Sequence, residues 1–158
     1  MCLFELAGHR FGLRLESVRE IVPMAALSRP PATPSILDGF LNLRGDAIPV
    51  LRTAAVLGLP EHRLELHTPL VVVHGGRGPL ALLVSRVTGI EAVAAGSRLP
   101  VSPSDSFNGC IEGLIAANGD RVHLLSLDRL LLAKEQAVLA SFQATETKRL
   151  REIDQERS

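Results

Sequence analysis

Gly39-Phe40-Leu41-Asn42-Leu43-Arg44-Gly45-Asp46-Ala47-Ile48-Pro49-Val50-Leu51 sets two short apolar runs on either side of Arg44-Gly45-Asp46. That layout reads as a β-hairpin. Glycine at the first central position of a two-residue loop suits a type II′ turn, because Gly45 takes a positive φ at no steric cost. Pro49 has no N–H, so its strand is expected at a sheet edge or beside an irregularity. Asn42 and Arg44 alternate with Leu41 and Leu43, which gives the hairpin one apolar and one polar face. Arg44 then stands on the polar face with its donors free, and by itself reads as a solvated strand-end arginine.

Outward from this hairpin the chain reads mostly as strands. Cys2–Ala7 and Phe11–Leu15 flank a three-residue loop, Gly8-His9-Arg10. Pro23, Pro30, Pro31 and Pro34 exclude a long helix before Ser35. Arg52–Leu57 has helical character and ends at Gly58 and Pro60. Residues 58–68 are polar and turn-rich and are the expected seam between two halves. Leu70–His74 is apolar on both faces, hence a buried strand, and Gly75-Gly76-Arg77-Gly78 turns it back into Leu80–Val84. A further strand is expected near Val87–Val93, then a loop from Ala95 to Gly109. Ile111–Ala116 and Val122–Leu127 form a last hairpin across Asn118-Gly119-Asp120. About ten short strands at this spacing predict barrels or a sandwich rather than a helix-covered parallel sheet. From Asp128, a fair N-cap, Leu131, Val138 and Phe142 share one helical face. The charged tail at 145–158 reads as a solvated, fraying helix.

Composition narrows the function classes. The 158 residues, 46% of them hydrophobic, suit one compact soluble domain or two small subdomains sharing a core. No apolar run approaches the roughly 20 residues of a membrane span, and no export signal opens the chain. Cys2 and Cys110 have no metal-like spacing and read as reduced cytoplasmic thiols. Seventeen basic residues balance 17 acidic ones, and there is no Trp or Tyr, so an oligonucleotide-binding barrel lacks both its cationic patch and its stacking platforms. The glycine-rich turn at 75–78 lacks the lysine and the following helix of a phosphate cradle. His74-Gly75-Gly76 is reminiscent of an esterase oxyanion loop, but no Gly-x-Ser-x-Gly elbow supplies a nucleophile. His62 and His67, five apart in an expected loop, fit no zinc spacing. Ser126 and Asp128 fall where a helix begins, so capping accounts for them. No catalytic constellation, metal site or cofactor is expected.

Several of these blocks carry a resemblance. Asn42-Leu43-Arg44-Gly45 followed by Ile48-Pro49-Val50 resembles the signature of the CheW-like domain of chemotaxis coupling proteins. Phe4–Gly8 with Phe11–Leu15, Val18–Ile21, Ala81–Val87, Glu112–Leu114 and Leu124–Leu131 resemble further blocks of that family in the same order. The resemblance implies an all-β fold of two five-stranded SH3-like barrels packed on each other, with a C-terminal helix, over residues 1–144. It also implies a non-enzymatic adaptor between a chemoreceptor cytoplasmic tip and the regulatory domain of a CheA-type histidine kinase, cytoplasmic and recruited to membrane-associated arrays. The alternatives are an adaptor of a non-chemotaxis pathway and an oligonucleotide-binding barrel. Carried over residue by residue, a receptor groove is lined by Cys2, Leu15, Val18 and Val87 with Arg44 beside it, and kinase contacts fall near Glu20 and the Arg98–Ser106 loop. Two positions depart from the family pattern. Leu51-Arg52-Thr53 follows the hairpin where a carboxylate is common, and Ser85 stands where the family has Asp.

Overall fold

The computed structural model describes residues 1–60, 68–92, 98–103, 106–117 and 119–157. Among the described residues, eleven strands form two sheets. The first contains β1 (Cys2–Leu6), β2 (His9–Leu13), β8 (Arg86–Ile90), β9 (Arg98–Leu99), β10 (Ile111–Ala117) and β11 (Asp120–Leu125), in the order β8-β1-β2-β11-β10-β9. The second contains β3 (Val18–Pro23), β4 (Leu37–Leu43), β5 (Asp46–Leu51), β6 (Pro69–Gly75) and β7 (Gly78–Leu83), in the order β3-β6-β7-β5-β4. The expected pair of five-stranded units is therefore present, with the two-residue β9 added to the edge of one.

Burial on both faces explains the apolar runs Leu70–Val73 of β6 and Leu80–Leu83 of β7. Leu70, Val72, Ala81 and Leu83 point into a cluster with Leu41, Ile48 and Val50, to which Val22 of β3 and Leu43 of β4 also belong. Strands from both ends of the sheet order share that cluster, so the sheet curls round its own core as a barrel does. Val71, Val73, Leu80 and Leu82 point the other way, into a larger cluster with Phe4, Leu6, Phe11 and Leu13 of the first sheet. This shared core joins the sheets. A smaller cluster of Ile115, Val122 and Leu124, with Met1 and Leu3 packed on it, fills the first sheet's own interior.

The seam expected at residues 58–68 does not divide the sheets. β3 pairs with β6 and β5 with β7, so strands on both sides of it belong to one sheet. Residues 61–67 themselves lie outside the described residues. The chain changes sheets instead between β2 and β3, through a 3-10 turn at Leu15–Ser17, and between β7 and β8. A polar, turn-rich composition marks exposure and carries no information about which strands pair.

The hairpin turns also differ from expectation. Leu43 pairs with Asp46, so the central residues are Arg44 and Gly45, with φ of 52° and 89°. Two positive φ values make the turn type I′, the twist-compatible choice, with Gly45 second rather than first. The Asn42 side chain secures it, accepting a hydrogen bond from the Gly45 N–H at 3.0 Å. The first hairpin repeats the pattern with Ala7 and Gly8 at φ of 50° and 81°, so its loop is two residues, not three. Pro49 is on an internal strand, beside the irregularity in β4 between Leu37 and Gly39 and one residue before the parallel ladder with β7 begins at Val50. Gly39 is required by packing, since a Cβ there would lie 2.7 Å from the Ser28 carbonyl oxygen.

Helix α1 (Thr53–Leu57) ends at Gly58, left-handed with φ 73°. Helix α2 (Leu127–Arg157) continues without a break through the tail expected to fray. Ser126, rather than Asp128, is its cap: the Ser126 Oγ accepts the Arg129 N–H at 3.3 Å. Leu130, fully buried, anchors the helix on the shared core, with Leu127, Leu131 and Ala133 packed beside it. No helix among the described residues is long and apolar enough to cross a membrane.

One loop stores strain. The Thr33 N–H donates to the Pro30 carbonyl at 3.2 Å, and Ala32 is held at φ 65°. Proline followed by a positive φ is the type II pattern, whose third position favours glycine. Ala32→Gly removes the Cβ penalty but gives the unfolded chain more freedom, so a net stabilisation below about 1 kcal/mol is expected. Thermal melts should show a rise of a few degrees at most; a clear fall would mean that the turn carries no strain.

Candidate partner-binding surface

The aliphatic residues expected in the groove lie at or next to the two places where the chain changes sheets, except Cys2. Leu15, in the 3-10 turn after β2, is 47% exposed. Val18 opens β3 and Val87 lies on β8, and both are half-buried against the shared core. Cys2 is different. It is 0% exposed, aligned with Leu13 on one side and Ile90 on the other, and burial pushes its thiol above the ordinary value. Cys2 underlies this surface and presents nothing to a partner, because an inward position on an internal strand closes over it. Ile90, 63% exposed, and Ile21, 41% exposed, are outward residues of the edge strands β8 and β3 that the sequence reading left out. Period-two alternation of β3 with Val18 and Val22 would have placed Ile21 outward.

Arg44 and Glu20, expected at two different partner surfaces, are bonded to each other. The Arg44 Nη2 donates to the Glu20 Oε2 at 2.7 Å. The left-handed turn at the end of β4 swings the guanidinium toward β3, at the opposite end of the sheet order, so the pair spans the barrel's two edges. The hydrogen bond from Arg44 holds the Glu20 carboxyl below its ordinary pKa, and the same contact raises that of the guanidinium. Arg98 is on β9, at the far edge of the other sheet, aligned with Ile115. Glu20 and Arg98 thus belong to opposite sheets, and residues 104 and 105 of the expected 98–106 loop lie outside the described residues.

Other polar groups are accounted for by the fold. Arg52 lies 3.4 Å from Asp38, which gives a structural use to the cation that departs from the family pattern. Ser85 accepts the Ala7 N–H at 3.3 Å. Arg14, beside Leu15, is bonded twice to one oxygen of Glu112, at 2.6 and 3.0 Å. His9 and His123, far apart in the sequence, meet Phe107 edge-on with ring centroids 5.2 and 4.8 Å away, and the His123 Nδ1 lies 3.0 Å from the Arg10 carbonyl oxygen. No group of three or more His, Cys, Asp or Glu side chains among the described residues is placed to hold a metal ion. His62 and His67 fall outside those residues.

The ion pair has a sign that can be checked. Because the folded Glu20 pKa is lowered, its stabilisation is complete above the unfolded carboxylate value, about 4.3, and is lost as pH falls through the folded value. Glu20→Gln should therefore lower stability at neutral pH, with the difference from the unmodified chain vanishing on acidification. Once that partner is gone, Arg44→Asn should raise the melting temperature, since asparagine tolerates the left-handed turn position better. Urea denaturation from pH 7 downward, and melts of the single and double variants, test both; a pH-independent difference would show that the pair stores no electrostatic stability.

Comparison with known proteins identifies the family and the fold. The family model described as the CheW-like domain matches residues 1–135. The chemotaxis protein CheW of Thermotoga maritima is 22% identical over 81% of this chain and 84% of its own. Protein FrzA of Myxococcus xanthus is 27% identical over 87% of this chain and 88% of its own. Among solved structures, the scaffolding protein TtCheW from Thermoanaerobacter tengcongensis superposes with a TM-score of 0.74 at 24% identity, covering 82% of this chain and 89% of that one, which shows the shared fold. With the match running from β1 into α2, through both sheets and both crossings between them, the chain belongs to the CheW-like domain family.

Proposed function

We propose that this chain is a non-enzymatic scaffold that couples chemoreceptors to a CheA-type histidine kinase. The family match over residues 1–135 carries the reading. In it, the receptor's cytoplasmic tip, a helical hairpin, lays an apolar ridge across Leu15, Val18 and Val87, beside Arg44. An exposed Leu15 in the turn before β3, with half-buried Val18 and Val87 on the edge strands β3 and β8, suits that mode of recognition, in which alternate turns of a helix seat between small and branched side chains. The kinase regulatory domain contacts the chain near Glu20 on one sheet and Arg98 on the other, two-sided contacts suited to a linker within an array. The chain is then cytoplasmic and reaches the membrane only through its receptor.

Leu15→Asp tests the receptor half of the reading without threatening the core, because Leu15 is 47% exposed. Val18→Asp is the stronger disruption but places a carboxylate against the shared core, where an unpaired charge costs several kcal/mol. Pull-downs with the receptor tip and with the kinase regulatory domain should show Leu15→Asp losing the receptor at least tenfold while retaining the kinase and a native circular dichroism spectrum. Unchanged receptor affinity for a folded Leu15→Asp protein sinks the groove; failure of the unmodified chain to capture either partner sinks the coupling function.

A further inference from the structure

Helix α2 carries an apolar stripe on the side away from the domain. Leu132, Leu139, Leu150 and Ile153 are 56, 60, 61 and 39% exposed. With 3.6 residues per turn they fall within about 60° of one another, along about 32 Å of helix. Leu130, two residues from Leu132 and hence about 200° round the helix, is the fully buried anchor on the shared core. The stripe is thus opposite the packed face. Leu132, Leu139 and Ile153 keep heptad spacing, with Glu146 at the interrupted position.

We propose that this stripe pairs antiparallel with the same stripe of a second copy of the chain. The inference is independent of the coupling function above. Charge chooses both occupant and direction. Glu135 is exposed at the helix's first half, and Arg149 and Arg151 are exposed at its second. A parallel pair sets Glu135 against its own copy and Arg149 against its own copy, whereas Arg151 is turned away from the stripe. The antiparallel pair sets Glu135 of each copy against Arg149 of the other, on the same flank of the stripe, and Leu132 and Leu139 against Ile153 and Leu150. The arrangement is self-complementary about one twofold axis, as a closed dimer requires. Glu146 lies near that axis, 3.8 Å from Arg149 of its own helix, and its polarity limits the dimer to moderate affinity.

Sedimentation equilibrium of the full chain should show a monomer–dimer equilibrium with a dissociation constant on the order of 1–100 µM. The Leu139→Glu, Leu150→Glu double variant should weaken it at least about tenfold with its helical circular dichroism unchanged. Direction is read by mixing Leu132→Cys and Ile153→Cys proteins under mild oxidation, the native Cys2 and Cys110 being buried. A disulfide joining unlike variants supports the antiparallel pair, and disulfides joining only like variants overturn it. A wild-type chain that stays monomeric throughout, or a double variant that dimerises as well as wild type, also overturns it. So does a monomeric chain whose double variant loses the kinase regulatory domain, because the stripe then belongs to that partner.

Discussion

Everything in this chain depends on β6 and β7 having two apolar faces. Val71 and Val73 cannot be covered by the same surface that covers Leu70 and Val72, so the second sheet needs an interior of its own and an external apolar layer as well. Each fully buried valine or leucine contributes about 1.5–3 kcal/mol, and a water-facing side would forfeit half of that row. The first sheet supplies the layer through Phe4, Leu6, Phe11 and Leu13. Because that sheet combines the chain's beginning with its later strands, the chain must leave it after β2 and return at β8. Those two passages lead into the edge strands β3 and β8, whose Val18 and Val87 are only partly covered by the shared core.

How much of this was legible depended on the range of the signal. Two-faced burial of β6 was readable from its unbroken apolar run, and the end of α1 from Gly58, because both are local. The start of each turn one residue earlier than read, at Ala7-Gly8 instead of Gly8-His9-Arg10 and at Arg44-Gly45 instead of Gly45-Asp46, was not. Glycine announces a positive φ, but only the strand register shows whether its neighbour must adopt one too. Cys2 was misplaced for a related reason: its inward position depends on β1 pairing with both β2 and β8, the latter more than 80 residues away. Composition put a boundary at residues 58–68 because polar residues mark exposure, while the true passages at residues 14–17 and 84–85 are short and unremarkable in sequence.

The stripe on α2 was legible in spacing and still passed over. Of the face read from Leu131, Val138 and Phe142, Leu131 does pack on the shared core beside the fully buried Leu130, while Leu132, one residue on, is open. One residue is 100° on a helix, enough to exchange a packed face for an open one. Among charged neighbours, Leu150 and Ile153 look like isolated hydrophobic residues, and only a continuous helix through the tail aligns them with Leu132 and Leu139.

The contact between Arg44 and Glu20 bears on how two partners would share one small domain. An arginine held in a left-handed turn position is uncommon, and here the local backbone cost is tied to a side-chain bond across the barrel's edges. Under the coupling reading, a receptor group that takes up Arg44 must compete with Glu20. A displaced Glu20 loses the hydrogen bond that lowers its pKa and becomes an exposed anion available to the kinase. The exchange needs no movement of the core, since both side chains are at the surface and both strands are held by the cluster beneath them. Receptor and kinase affinities would then be linked through one ion pair, by the same factor in each direction. Kinase-domain titrations of Arg44→Asn, with and without the receptor tip, separate that linkage from independent sites. Linked sites predict that the variant binds the kinase equally under both conditions, as the receptor-bound unmodified chain does, whereas a receptor effect that survives in Arg44→Asn must travel by another route.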